Sequence, residues 1–445
     1  MSSSNFFRTT RETIKHTELT WYLKLIGSFF GSNLLVVVTQ AVSGLLIARW
    51  AGPENMGYLN TMALSISYIP IFFLGINNGL NRELPYLIGQ GRTENVQTIA
   101  NTAWWWMRNI SLFVGILFAA GGVVIWLRGS PHLGQACLAY SVISALWVLS
   151  HYIEITYRTS SDFIELSKVK TVNAVLAVVT TPFVLLSPWW GLLARATVLQ
   201  GTYNLLLHRK RRIVPVAVLD RGAWLRLLKI GLPLFTVGFL FSFFNALDRT
   251  LIVRFLEPKD MGLYTPAIMI ASALSVLPSS ISQIIYPRMC LLYGRTGSPR
   301  SLARLAFVPM LVLSMVLVPV FAFGWWFVDP FVRLVLPKYV AGIHAGRWII
   351  VAMYFWSLSS ALNVFPAINK LWPYACAICL GILTSVLVAI RLLGQGLGLS
   401  AVAIGQACGM AMLLAVSTAF AIYYVFETRE LRRKQEPTQF PDLPV

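Results

Sequence analysis

Acidic residues are scarce in this chain: 17 Asp and Glu stand against 36 Lys and Arg among 445 residues, and charged residues reach only 12%. A soluble domain carries about 25% charged residues, so the shortage excludes one before any motif is read. Metal and thiol chemistry lack their parts as well. The five histidines are scattered with no H-E-x-x-H arrangement, and no metal or other cofactor is expected. Of Cys137, Cys290, Cys376, Cys379 and Cys408, all but Cys290 lie inside apolar runs, so no disulfides are expected. Cys376 and Cys379 have the spacing of a redox pair, but inside a membrane helix small-residue packing is the expected role. No Gly-Lys dipeptide occurs, which excludes a phosphate-cradling loop and a built-in ATPase.

What fills the chain is apolar sequence: 57% hydrophobic residues and a mean hydropathy of +0.68. Apolar runs cover 23–49, 58–80, 109–127, 135–155, 169–187, 190–207, 229–254, 263–286, 303–327, 345–366, 372–394 and 400–425. Each is near the roughly 20 residues a helix needs to cross the hydrocarbon, which predicts about twelve transmembrane helices. All are expected to be α-helical, because unpaired backbone groups are excluded from lipid. The first run is too long for a signal-peptide core and reads as an uncleaved span. The net charge of +19 then reads as positive-inside bias and attraction to anionic lipid, not as a nucleic-acid surface. With both termini inside, 26 of the 36 Lys and Arg fall on the inner face. Both termini are therefore expected in the cytoplasm, with short outer turns.

The chain also repeats itself. "RWAGPENMGYL" at 49–59 returns as "RFLEPKDMGLY" at 254–264, keeping Arg49/Arg254, Pro53/Pro258, Met56/Met261 and Gly57/Gly262. Upstream, Ala41/Ala246, Leu46/Leu251 and Ile47/Ile252 continue the match, and "LPYLIGQGRT" at 84–93 pairs with "YPRMCLLYGRT" at 286–296. The offset spans six helices, an even number, so both copies share one orientation: a parallel repeat about an axis along the membrane normal. The expected organisation is a cytoplasmic tail at 1–22, a six-helix bundle at 23–207, a basic cytoplasmic linker at 208–228, a second bundle at 229–425 and a tail at 426–445. Pro53 and Pro258 are expected to turn the first hairpin of each half, with Gly57 and Gly262 supplying permissive backbone.

Catalytic groups are wanting. The first outer turn offers Glu54 alone, where a membrane glycosyltransferase needs paired carboxylates, and no long outer loop exists for a glycan polymerase. The chain is not expected to be an enzyme. What remains is a sparse polar set inside the spans. Asn245 and Arg249 share one helix face with Ser242, and Asp248 flanks it. In repeat register Gln40 stands opposite Asn245, Ser43 opposite Asp248, and Gly44 opposite Arg249. A charge near mid-bilayer costs about 2.5–3.5 kcal/mol, so Asp248 and Arg249 are expected to line a wet cavity or to pair. Arg195, with Gln200 and Asn204, and Arg347 are further candidates. Glu154 and the Arg82–Glu83 pair are expected at membrane rims, and Trp104–Trp106, Trp189–Trp190 and Trp325–Trp326 in the interfacial aromatic belts.

"ALDRTLIVRFLEPKDMGLYTPA" resembles the seventh-helix signature of the oligosaccharide flippases, and "ARWAGPENMGYLNTMA" looks like their first-hairpin signature. These form the polysaccharide-transporter branch of the multidrug, oligosaccharidyl-lipid and polysaccharide exporter superfamily. The resemblance extends over the whole chain in length, span count and duplication. It implies two six-helix bundles around a central cationic cavity. It further implies a cargo of undecaprenyl-diphosphate-linked oligosaccharide, moved across a bacterial inner membrane for O-antigen or exopolysaccharide assembly. Glycan polymerases or glycosyltransferases, and the membrane lipids, are the expected partners. Arg249 is expected to take the cargo's diphosphate. A cation-coupled multidrug exporter of the same fold, or a non-transporting subunit of a glycan-assembly complex, are the alternatives.

Overall fold

Prolines and glycines place the breaks in this fold, and the apolar runs between them supply the helices. The computed structural model describes residues 18–89, 93–160, 162–211, 213–275, 298–362, 364–368 and 370–426, with scattered positions between 278 and 296. Every regular element among them is helical. The longer ones are α1 (Glu18–Ile66), α2 (Ile76–Gly89), α3 (Thr93–Leu127), α4 (Pro131–Thr159) and α5 (Phe163–Val179). After the short α6 (Pro182–Leu186) come α7 (Pro188–Arg209), α8 (Arg221–Phe255), α9 (Pro258–Leu263) and α10 (Thr265–Leu274). The chain continues with α11 (Ala303–Val335), α12 (Ile343–Ala361), α13 (Val364–Ala367), α14 (Leu371–Leu393) and α15 (Gly398–Phe426).

Nine helical stretches among the described residues are long and apolar enough to cross a bilayer. The protein is a multi-pass membrane protein. The difference from twelve has three local causes. The first two runs meet inside α1, and the second is interrupted by a turn at Ser67–Gly75 holding a short 3-10 segment at Ile69–Phe73. The sixth, α7, carries Arg195, His208 and Arg209, and the eighth extends past α10 into positions outside the described set. Lipid contact is visible in which side chains stay uncovered. On α11, Val308, Leu311, Val312, Met315 and Val316 are all exposed. Their i, i+3, i+4, i+7, i+8 spacing makes one apolar stripe, which is stable only against hydrocarbon.

The duplicated hairpin breaks at the same aligned position in both copies. Gly52 leaves the helix at φ 76°, ψ 168°, and its counterpart Glu257 at φ −86°, ψ 159°. Each precedes a proline, whose ring pushes the preceding residue out of helical ψ toward the extended region. The glycines expected to supply this freedom do not: among the described residues Gly52 is a positive-φ glycine, while Gly57 and Gly262 are not. Gly57 and Gly262 are instead buried within helix. A proline restarts a helix at once, so the residue before it leaves the helical conformation and those after it pack.

Contacts divide the chain into two compact units, Met1–Thr236 and Val237–Val445. The division falls inside α8, beyond the expected bundle start at 229, because the first turns of α8 are held by the N-terminal unit. Gly75 (φ 81°), in the turn before α2, and Gly79 on α2 meet α8 at Gly231 and Leu227 so tightly that a Cβ on either would overlap backbone. Arg226 pairs with Glu83 at 2.7 Å; Glu83 is therefore tied to α8 and is not the partner of Arg82. The segment before α8 is laced to α3. Gln97 donates to the Val214 carbonyl at 3.0 Å, and the Val216 N–H donates to Asn101 Oδ1 at 2.8 Å. The Asp220 N–H donates to Thr102 Oγ1 at 3.2 Å.

In the C-terminal unit, α14 and α15 meet through Gly381 and Gly409, where an added Cβ would strike the facing backbone and the Phe244 ring. Gln406 completes the contact by donating to the Phe244 carbonyl at 3.0 Å.

Candidate functional site

Helical spacing on three N-terminal helices brings polar groups to one place. Lys170, Asn173 and Ala177 lie on one face of α5, and Arg195, Leu199 and Tyr203 on one face of α7. With Gln40, Ser43 and Gly44 of α1 they line a cavity of about 470 Å³. Arg195 spans it. One Nη donates to the Ala177 carbonyl at 3.0 Å and to Ser43 Oγ at 3.3 Å. Among the described residues, Arg195 Nε and Asn173 Oδ1 are buried without a protein partner. In repeat register Ser43 and Gly44 occupy the places of Asp248 and Arg249. The guanidinium missing from the first copy is thus supplied beside the same position by a different helix.

Lys170 is the second cation of the cavity, and it leads to Glu154. Its Nζ lies 3.8 Å from Glu154 Oε2. Arg158 donates to the same oxygen at 2.8 Å, and the Tyr203 hydroxyl donates to Oε1 at 2.8 Å. Glu154, expected at the membrane rim, thus accepts two hydrogen bonds, from α4 and α7, and pairs with Lys170 of α5 behind the cavity wall. Gln200 and Asn204, expected beside Arg195, face α4: both donate to Ser150 Oγ, at 3.2 and 3.0 Å. They join helices and leave Arg195 to the cavity.

The C-terminal unit has its own polar cluster on α8. Arg249 Nη2 folds back to the Asn245 carbonyl at 3.0 Å, and its Nε lies 3.6 Å from Asp248. Asp248 is buried and also accepts from the fully buried Tyr264 hydroxyl at 2.8 Å. The Asn245 amide donates to the Phe241 carbonyl at 2.9 Å. Arg347 sits apart from this cluster. It donates to the Trp325 carbonyl and to Asp329, both at 3.2 Å, and lies over the Trp325 ring at 5.9 Å. Asp329 also pairs with Arg333, so Arg347 belongs to an ion cluster joining α11 and α12.

The tryptophan groups are not uniform belts. Trp104 packs on Tyr152 with ring centroids 5.2 Å apart, and Trp189 donates to Gln135 at 2.8 Å. Trp190 and Trp326 are exposed. Cys137, Cys376, Cys379 and Cys408 are free thiols.

A family profile described as polysaccharide biosynthesis protein matches residues 46–339. The chain belongs to that family. The match takes in both copies of the hairpin, α5, α7 and α8, and so every residue of the two polar clusters except Gln40, Ser43 and Gly44. No curated relative matches the chain by sequence. Among solved structures, the family member is similar to an inward-facing multidrug resistance MATE family transporter of the MOP superfamily. That match has TM-score 0.75 and 15% identity, covering 90% of this chain and 96% of the other. It is also similar to a MATE transporter in complex with MaD3S, with TM-score 0.63 and 16% identity over 92% and 97% of the two chains. A Vibrio cholerae MATE transporter matches with TM-score 0.56 and 14% identity over 93% and 98%. At these identities the likeness establishes the fold: this member of the polysaccharide biosynthesis family shares the fold of the MATE transporters.

Proposed function

We propose that this polysaccharide biosynthesis family member translocates a lipid-linked oligosaccharide, of the undecaprenyl-diphosphate type, from the cytoplasmic to the outer leaflet of a bacterial inner membrane. The observation that carries the reading is the N-terminal cavity, where Arg195 and Lys170 stand together and Glu154 is the carboxylate paired with Lys170. A diphosphate is the group such a site suits. Arginine's fork matches phosphate oxygens, and the amide-bearing and hydroxyl side chains of Gln40, Asn173 and Tyr203 suit a sugar. Arg249 on α8 is a further candidate for a phosphate contact in the C-terminal unit. Transport proceeds by alternating access with both termini in the cytoplasm, and the glycan enters surface polysaccharide such as O-antigen or exopolysaccharide.

The test is complementation of a strain lacking the protein, reading surface glycan and membrane abundance together. Arg195→Ala combined with Lys170→Met should lose most surface glycan while the protein remains inserted at normal abundance. Full glycan with this double variant would rule the reading out. A multidrug exporter makes the opposite forecast: loss of the protein would sensitise cells to cationic dyes and leave the glycan intact. Two fixed cations in the cavity disfavour a cationic drug by like-charge repulsion.

A further inference from the structure

Glu154 has more to do than hold helices together. Both of its oxygens are used, but unequally: Tyr203 and Arg158 reach it at 2.8 Å, whereas Lys170 stands off at 3.8 Å. Lys170 and Tyr203 both line the cavity; Glu154 lies behind them, its side chain 16% exposed. Lys170 is therefore an ammonium shared between a carboxylate on one side and an open polar cavity on the other. Arg195 has no such competitor, for its bonds go to a hydroxyl and a carbonyl.

We infer that Glu154 is a built-in counter-anion that competes with the cargo's phosphate for Lys170, so that cargo binding and release exchange one anion for another on the same ammonium. With the cavity empty, Lys170 leans on Glu154 and its charge is not left uncompensated. When a phosphate enters, Lys170 turns to it, and Glu154 keeps Tyr203 and Arg158. On release the carboxylate draws the ammonium back. No bond is made or broken and no proton need move. Glu154 is thus a positioning residue that sets how tightly the site holds its anion, and Tyr203 tunes it by absorbing part of the carboxylate's charge. This rests on the reading of the cavity as the diphosphate site.

The geometry forecasts opposite signs for two neighbouring changes. Glu154→Gln removes the competitor while keeping the shape, so affinity for a phosphate should rise by about tenfold, equivalent to about 1.4 kcal/mol. Tyr203→Phe leaves the carboxylate with one donor fewer, so it holds Lys170 harder and affinity should fall several-fold. A purely structural role for the cluster would lower affinity, or folded yield, in both.

The experiment is direct binding to the purified full chain in detergent. Farnesyl diphosphate serves as a prenyl-linked diphosphate and inorganic pyrophosphate as the free anion, with farnesol as the uncharged control. The expected result is tighter binding by Glu154→Gln and weaker binding by Tyr203→Phe. Farnesyl diphosphate should bind in preference to pyrophosphate if the prenyl chain also contributes, whereas equal binding would assign the site to the anion alone. Wild type binding with Glu154→Gln unchanged or weaker would overturn the exchange. Absence of any wild-type binding would instead remove the reading of the cavity, and the exchange with it. Should Glu154→Gln fold poorly, Lys170→Met decides: it removes the shared ammonium, so a subsequent Tyr203→Phe change must then lower affinity by a smaller factor than it does in the wild type.

Discussion

Arg249 and Arg195 show how an arginine can be kept in a membrane helix in two ways. Arg249 is neutralised on its own helix, by Asp248 at 3.6 Å and by the Asn245 carbonyl, while Tyr264 holds the other oxygen of Asp248. Among the described residues Arg195 meets no carboxylate and relies on Ser43 and a carbonyl. Because Tyr264 still satisfies Asp248, Arg249→Ala should abolish surface glycan at normal membrane abundance, and Arg249→Lys should restore it only in part, lacking the planar fork. Immunoblotting beside glycan staining reads both quantities. An equal fall in abundance for Arg249→Ala and Asp248→Asn would instead mark a structural ion pair. Tyr264→Phe removes one hydrogen bond to a buried carboxylate and should lower thermal stability, at a cost of about 1–3 kcal/mol.

At the scale of elements, α8 offers a contrast within one helix. Gly231 lies against the backbone of α2 and has no room for a Cβ, while Gly238 has nothing within 4 Å. Gly231→Ala should therefore separate α2 from α8 and lower folded yield in detergent, where overpacking costs about 1–3 kcal/mol or more. Gly238→Ala should be neutral or slightly stabilising, since alanine is the better helix former by about 1 kcal/mol. Size-exclusion profiles of the two variants give the comparison. Equal behaviour would mean that the α2–α8 crossing does not hold the first turns of α8 in the N-terminal unit.

Across the whole molecule, the charge asymmetry forecasts an orientation that labelling can check. In a variant with all five native cysteines replaced, a cysteine at Val214, which is exposed on the segment before α8, should react with an impermeant maleimide only after the cells are permeabilised. Cysteines at Glu54 and Lys259, exposed at the two hairpin breaks, should react in intact cells. Labelling at Val214 from outside would reverse the topology and, with it, the assignment of 208–228 to the cytoplasm.

Composition and hydropathy by themselves determined that this chain is helical and spans a membrane, because lipid leaves a backbone no other way to satisfy its hydrogen bonds. The 205-residue repeat located both hairpin breaks, since a proline acts on the residue before it whatever surrounds it. Asn245, Asp248 and Arg249 were legible for a similar reason: they cluster on one helix, and helical spacing is local. The cavity was not. Gln40, Lys170, Arg195 and Tyr203 lie on α1, α5 and α7, and no local rule says which faces of three distant helices will meet. Only tertiary packing placed Arg195 beside Ser43 and Glu154 beside Lys170, because a charge's surroundings in lipid are decided by which helices pack around it.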